Sequence, residues 1–178
     1  MDPDTSTLFA GPIFRVDRLR YRASDGGVRV RDVVRHPGSV VIVPIVDPGH
    51  VCLIRNYRCA VEQTLWELPA GTREPHELPE ETARRELQEE TGYCAERWTR
   101  LHEFFPAPGI LDERMSLFLA EGLTPGPPRR EPGEEIENVI LSWSELRRMV
   151  HDREFTDAKT LLGLFLVQAY GSGEKVIP

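Results

Sequence analysis

The sequence predicts an α/β (α+β) fold, an α/β/α sandwich around a mixed β-sheet with a small antiparallel β-sheet extension at the N-terminus. Three observations carry this. Short apolar runs alternate along the chain with helical stretches, as layered mixed folds require. Residues 40–46 are continuously apolar, the pattern of a strand buried on both faces. Tight turns such as Asp47-Pro48-Gly49 join successive strands and bring antiparallel pairing into the sheet.

Residues 1 to about 12 read as a loose tail. Stretches 14–21 and 28–34 alternate apolar and polar residues around Ser24-Asp25-Gly26-Gly27, a β-hairpin with a glycine-rich turn. Two strands alone are marginal. The hairpin either extends the central sheet or forms a small separate sheet, packed on the main domain or on a second subunit. His36-Pro37-Gly38 breaks the chain before the buried strand at 40–46, and a further strand follows at 51–57. A short strand at 65–68 enters Pro69-Ala70-Gly71.

Residues 79–91 should be a helix. Pro79 suits a first turn, where its missing N–H costs nothing. Glu80 and Glu81 suit the positive end of the dipole. Ala83 and Leu87 give a buried stripe, and Gly92 is a stop. Strands follow at 98–105, ending in Phe105-Pro106-Ala107-Pro108-Gly109, and at 114–120. A proline- and glycine-rich loop at 124–133 leads through Glu134-Glu135 to a strand at 136–141. Ser142 and Glu145 form a capping box for a helix to about Val150. Phe155-Thr156-Asp157 leads a last helix to about Ala169, with leucines on several faces and hence largely buried. The chain divides into an extension at 1–35, a main domain at 36–170 and a tail at 171–178.

At 178 residues the length suits one domain with an extension. A net charge of -7 argues against a nucleic-acid backbone or an anionic membrane as main partner. Cys52, Cys59 and Cys94 lack metal-ligand spacing and read as buried free thiols in a reducing cytosol. The five histidines are scattered, which argues against zinc. The N-terminus has no basic-then-apolar leader, and no apolar run is long enough to span a bilayer. A cytoplasmic location is expected.

The charges of the 79–91 helix are unequal in meaning. Glu81, Arg85 and Glu89 stand four apart, so Arg85 is flanked by acids on one face. Glu86 and Glu90 are also four apart, and neither has a cation at a helical-neighbour spacing. Two like charges so placed cost about 0.2–0.5 kcal/mol. Their position in the last turn opposes the dipole and costs roughly 0.3–1 kcal/mol more. A divalent cation between them would offset both penalties, and a carboxylate site suits Mg²⁺, with Mn²⁺ possible.

The whole stretch 71–93 carries more. Gly71 is followed six residues later by Glu77, then by Arg85-Glu86-Leu87, Glu89-Glu90 and Gly92-Tyr93. This spacing resembles the signature of the Nudix hydrolases, with every specified position filled. Chance would produce it at a given start on the order of once in 10⁸ or rarer. Looser stretches resemble the ADP-ribose pyrophosphatase branch: residues 34–38, Arg55-Asn56-Tyr57-Arg58, residues 105–109 with Asp112-Glu113, and Asp157-Ala158-Lys159-Thr160. Pro108, fifteen residues past Tyr93, sits where this branch carries its marker proline. The usual serine of that motif is Ala107 here.

The resemblance implies a Nudix-like sandwich and a Mg²⁺-dependent pyrophosphatase. Its reaction would convert ADP-ribose to AMP and ribose 5-phosphate by metal-activated attack of water. Other nucleotide sugars such as GDP-mannose, a nucleoside triphosphate, or a nucleotide-sugar sensor without turnover are the alternatives. By the same resemblance Glu86 and Glu90 are metal ligands, joined by Ala70, and Glu89 either shares a metal or pairs with Arg85. Glu77 has a structural alternative, steadying the loop or the helix start. Arg58 contacts the diphosphate, while Gly109 and Glu113 face the substrate. Glu134, with Glu135 as alternate, supplies the base from a mobile loop. An aromatic of the N-terminal sheet, Phe14 or Tyr21, stacks on the adenine. His36 caps its own turn, and Trp66 and Phe118 belong to the core. The branch also implies a homodimer with exchanged N-terminal strands.

Overall fold

Strand pairing begins earlier than the sequence suggests. The computed structural model describes residues 4–130 and 135–171. Its first element is β1 (Asp4–Ala10), inside the segment read as a loose tail. Thr5, Thr7, Leu8 and Phe9 suit an extended backbone. The polar run before Leu8 hid the strand, because every residue of β1 is exposed and no buried face imposes a pattern. β1 pairs antiparallel with β2 (Arg15–Arg22), and β2 with β3 (Val28–Arg35). Gly26, at φ 79°, takes the left-handed turn position between β2 and β3. Of the two alternatives for the extension, the small separate sheet is the one found.

That sheet is tied to the rest of the chain at the end of β3. The Val34 N–H donates to the Ile110 carbonyl (2.8 Å), and the Asp112 N–H to the Val34 carbonyl (3.1 Å). Arg35 bridges Asp17 of β2 and Asp112, at 3.3 and 2.9 Å. Burial opposes ionisation of Asp17. Hydrogen bonds from Thr7, Arg15 and Arg35 outweigh it and hold the carboxyl below its ordinary range.

The central sheet is mixed. It comprises β4 (Ser39–Asp47), β5 (His50–Arg58), β6 (Gln63–Glu67), β7 (Ala70–Thr72), β8 (Cys94–Phe104), β9 (Met115–Thr124) and β10 (Ile136–Ser142). The order is β10-β5-β4-β9-β8, with β6 on β5 and β7 on β4. β4 and β9 run parallel, and the other pairs are antiparallel.

Alternation along β4 makes the layers. Val40 and Ile42 pack with Phe118 and Ala120 against Ala83 and Leu87, beneath α1 (Pro79–Glu86). Val41 and Val43 face the other way, toward Leu146 and Met149 of α2 (Trp143–His151) and Leu164 of α3 (Ala158–Gly171). Each fully buried branched side chain contributes roughly 1.5–3 kcal/mol. The capping box of α2 is present: the Ser142 Oγ accepts the Glu145 N–H at 3.2 Å, and Glu145 accepts the Ser142 N–H at 2.8 Å. Phe118 lies in the core, Trp66 is half-buried against it, and His36 Nδ1 accepts the Gly38 N–H of its own turn at 3.1 Å.

Two expectations need correction. α3 is not largely buried, since Leu161 and Phe165 are exposed beside a shallow apolar groove shared with α2. Its leucines face both the core and this groove. Only Cys52 is a buried thiol, and burial pushes it up to about 12. Cys59, in the turn after β5, and Cys94, at the start of β8, are exposed. Among the described residues no helix is long and apolar enough to cross a membrane.

Candidate active site

Residues 79–91 form α1 continued by a single π-helical turn, Leu87–Thr91. Such widened turns recur at functional sites. Gly92 ends it at φ 79°, and its N–H donates to the Gln88 carbonyl at 2.9 Å. From above, a loop seals this end. The Arg129 N–H donates to the Glu89 carbonyl (2.9 Å), and Arg130 Nε to that of Glu90 (3.1 Å). Asn138 of β10 donates to the Thr91 carbonyl at 2.8 Å.

Arg85 is the electrostatic centre of the stretch. Its Nε and Nη2 take the two oxygens of Glu77 at 3.0 and 3.1 Å. Its Nη1 reaches Glu86 at 2.7 Å and Glu89 at 2.9 Å, and Nη2 also donates to the Thr72 carbonyl at 3.1 Å. Two expectations therefore change. Glu81 does not pair with Arg85; it accepts the Leu78 N–H at 2.8 Å and caps the helix instead. Glu86 does have a cation, because a long guanidinium can bend to its sequence neighbour, which helical-spacing rules omit. The Arg85 hydrogen bond is the chief cause that pulls the Glu77 carboxyl from 4.5 down to about 2, against its burial, with Thr82 and the Glu74 N–H adding to it. Glu77 thus steadies the loop and helix start, its structural alternative.

Glu90 is only 3% exposed, and its Oε2 accepts the Ala70 N–H at 2.9 Å. This bond locks the Pro69-Ala70-Gly71 turn onto the helix. At Gly71 a β-carbon would overlap the Glu86 carboxylate. Glycine there leaves the space in which the Glu86 carboxylate sits.

These groups line one wall of a cavity of about 1080 Å³. Ala70, Gly71, Glu86, Glu89 and Glu90 form that wall, while Arg15, Arg35, Arg58 and Arg73 bring positive charge around it. Among the described residues no three His, Cys, Asp or Glu side chains converge closely enough to hold an ion as they stand; Arg85 draws Glu86 and Glu89 to itself. The donor set nevertheless fits a hard divalent cation. It offers carboxylate oxygens beside a main-chain turn, and Gly71 leaves the space that Glu86 occupies. The volume suits a dinucleotide-sized ligand, and because five carboxylates match the five arginines of the lining, a bound cation would be what tips the balance toward a polyanion.

The remaining predicted site residues distribute unevenly. Arg58 lines the cavity, and its Nε and Nη2 grip Glu67 at 2.8 and 2.7 Å. Phe14 lines the cavity and Tyr21 does not. Gly109 lies in an exposed turn outside the cavity wall. Glu113 turns to Ser39 (2.6 Å) and toward His36 (3.4 Å), also outside the wall, whereas its neighbour Asp112 is part of it. Glu135 is exposed ahead of β10 and away from the wall; Glu134 lies outside the described residues. Sequence reasoning missed Glu67, a charged residue inside an apolar strand ending, and that misfit was its signal. It also missed Arg130 and Asn138, whose contacts to main-chain carbonyls leave no trace in spacing.

Comparison with known proteins accords with this geometry. The NUDIX domain model matches residues 35–162. An ADP-ribose pyrophosphatase of Bacillus subtilis is 34% identical over 90% of this chain and 88% of its own length. One from Mycobacterium tuberculosis is 36% identical over 95% and 83%. A crystal structure of an ADP compounds hydrolase superposes with a TM-score of 0.84 at 28% identity, covering 99% of this chain and 98% of the other. With the signature turn, its helix and the acidic wall in place on this sandwich, the chain belongs to the NUDIX domain family and is a Nudix hydrolase.

Proposed function

We propose that this hydrolase is a Mg²⁺-dependent pyrophosphatase that converts ADP-ribose to AMP and ribose 5-phosphate. The observation that carries the reading is the cavity in which Glu86, Glu89 and Glu90 stand with Arg58, Arg15 and Arg35 on a single lining. Two relatives named for ADP-ribose, each aligned over most of the chain, support the substrate.

Hydrolysis adds water across the P–O–P bridge: an oxygen bonds to one phosphorus, the bond to the bridging oxygen breaks, and two phosphate monoesters leave. Glu86, Glu89 and Glu90, with Ala70, would hold Mg²⁺ or Mn²⁺. When bound, the cation would supply charge to the phosphoryl oxygens and acidify the attacking water. Arg58 presents a planar fork suited to phosphate oxygens. Glu89 lines the cavity and Glu135 does not, which favours Glu89 between them as proton acceptor. Phe14, at the cavity mouth, is the favoured partner for adenine. The N-terminal sheet, with Leu8, Phe9, Val28 and Val30 exposed, is the proposed homodimer surface.

The test is a substrate panel of ADP-ribose, GDP-mannose and ATP with Mg²⁺, with products separated by chromatography. The reading expects AMP and ribose 5-phosphate, ADP-ribose turned over fastest, and loss of activity in EDTA. Preferential cleavage of GDP-mannose or ATP would overturn the substrate. Binding without turnover of any of them would make the protein a sensor.

A further inference from the structure

The stretch Asp157-Ala158-Lys159-Thr160 has no part in the cavity lining, yet it meets the site from behind. Its node is Glu67, the last residue of β6, which is 1% exposed. Both oxygens of this carboxylate take the Arg58 fork, Oε1 from Nε at 2.8 Å and Oε2 from Nη2 at 2.7 Å. Lys159 Nζ donates to Glu67 Oε2 at 2.5 Å, the same oxygen that takes Arg58 Nη2, and also pairs with Asp157 at 3.0 Å. Asp157 in turn accepts the Thr160 N–H (3.0 Å) and hydroxyl (2.6 Å), and the Thr160 hydroxyl accepts the Leu68 N–H (2.8 Å). The start of α3 is thereby stapled to the chain two residues before Ala70.

A buried carboxylate needs compensation, and Glu67 has two cations. Arg58 is 41% exposed at its side chain and lines the cavity; Lys159 is 13% exposed and does not. The two cations thus have different reach. Lys159 can neutralise Glu67 permanently, whereas Arg58 can share its guanidinium with an arriving anion without leaving a naked buried charge. Burial works against the ionised form of Glu67, but Arg58 and Lys159 outweigh it and hold the carboxyl below its ordinary range.

We infer that Glu67 and Lys159 are positioning residues for Arg58, with Glu67 aiming the fork at the diphosphate of a nucleotide sugar and Lys159 acting as the resident counter-ion that lets Arg58 engage it. This rests on the pyrophosphatase reading of the cavity. Neither residue touches the substrate, and both act through Arg58.

A double-mutant cycle tests this. KM and kcat for ADP-ribose with Mg²⁺ are measured for R58A, E67Q and K159M, and for E67Q and K159M each combined with R58A. Dissociation constants for ADP-ribose are measured in EDTA by calorimetry. Loss of the fork should raise KM by at least about tenfold in R58A and E67Q, with kcat changed by less than about threefold. K159M should raise KM in the same direction. Neither change should worsen KM further once Arg58 is gone. Should E67Q fail to fold, K159M keeps the question open to an answer, since Glu67 retains Arg58 there. Effects that multiply with R58A, or a KM unchanged in both single variants, overturn the inference. If the wild type binds ADP-ribose in EDTA but hydrolyses nothing when Mg²⁺ is supplied, the pyrophosphatase reading fails; the same cycle read on dissociation constants then still decides the positioning role.

Discussion

At the scale of single residues, Gly71, Glu90 and Glu77 separate activity from stability. A β-carbon at Gly71 meets only the end of the Glu86 side chain, which can swing away. Gly71→Ala should therefore melt within a few degrees of wild type yet lose about 10² or more in kcat, because the displaced carboxylate leaves the acidic wall. A variant with normal turnover would detach Glu86 from the chemistry. Glu90→Gln keeps an oxygen to accept the Ala70 N–H, so the fold should persist while kcat falls by at least about 10². Near-normal turnover there would remove the metal assignment. Glu77 predicts a pH dependence. Its folded carboxyl is pulled down from 4.5 to about 2, chiefly by the Arg85 hydrogen bond. A depressed folded pKa contributes stability that is present above the unfolded value. That contribution is lost as pH falls from about 4.5 toward about 2. Urea midpoints measured across this window should fall less steeply in Glu77→Gln than in wild type. Equal slopes would assign the acid sensitivity to other carboxylates.

At the scale of elements, the signature helix was legible and its surroundings were not. Pro79, the Ala83 and Leu87 stripe and Gly92 located both ends of the helix, because caps and breakers act locally. The π-helical turn at Leu87–Thr91 left no mark, since its residues are ordinary helix formers and the main-chain anchors come from Arg129, Arg130 and Asn138, remote in sequence. The same reach explains the misread charges. Arg85 stands flanked by Glu81 and Glu89 in the sequence; it keeps Glu89, but Glu81 caps the helix and the loop at Glu77 returns to take the fork. Gly92 gives the contrast to Gly71. It sits at φ 79°, and a β-carbon would overlap the Gly126 carbonyl, a backbone atom that cannot turn aside. Gly92→Ala should cost on the order of 2 kcal/mol or more in urea unfolding and push the sealing loop off the helix end. A loss below about 0.5 kcal/mol would show that this junction yields readily.

At the scale of the whole molecule, the central sandwich followed from the apolar run that became β4, whose alternate residues feed both layers. The N-terminal sheet obeyed a different logic. Asp17 is its one nearly buried polar side chain, and β1 shows no covered face, so single-chain burial could not reveal β1 in the sequence. A three-stranded sheet with Leu8, Phe9, Val28 and Val30 about half exposed has most of its apolar surface unspent. It is attached at one end, through Val34 and the Arg35 bridge, beside the cavity residues Gly11 to Arg15. Association of two copies through this sheet would bury that surface and steady the cavity mouth together. Sedimentation should therefore give a dimer, and Val30→Glu, which places a charge on the exposed end of β3, should shift it toward monomer. Because Arg15, Arg35 and Phe14 hang from the same sheet, dissociation should raise KM for ADP-ribose while leaving the helix-borne acids, and hence kcat at saturation, nearly unchanged. A wild-type monomer, or a dimer indifferent to Val30→Glu, would move the interface elsewhere on the molecule.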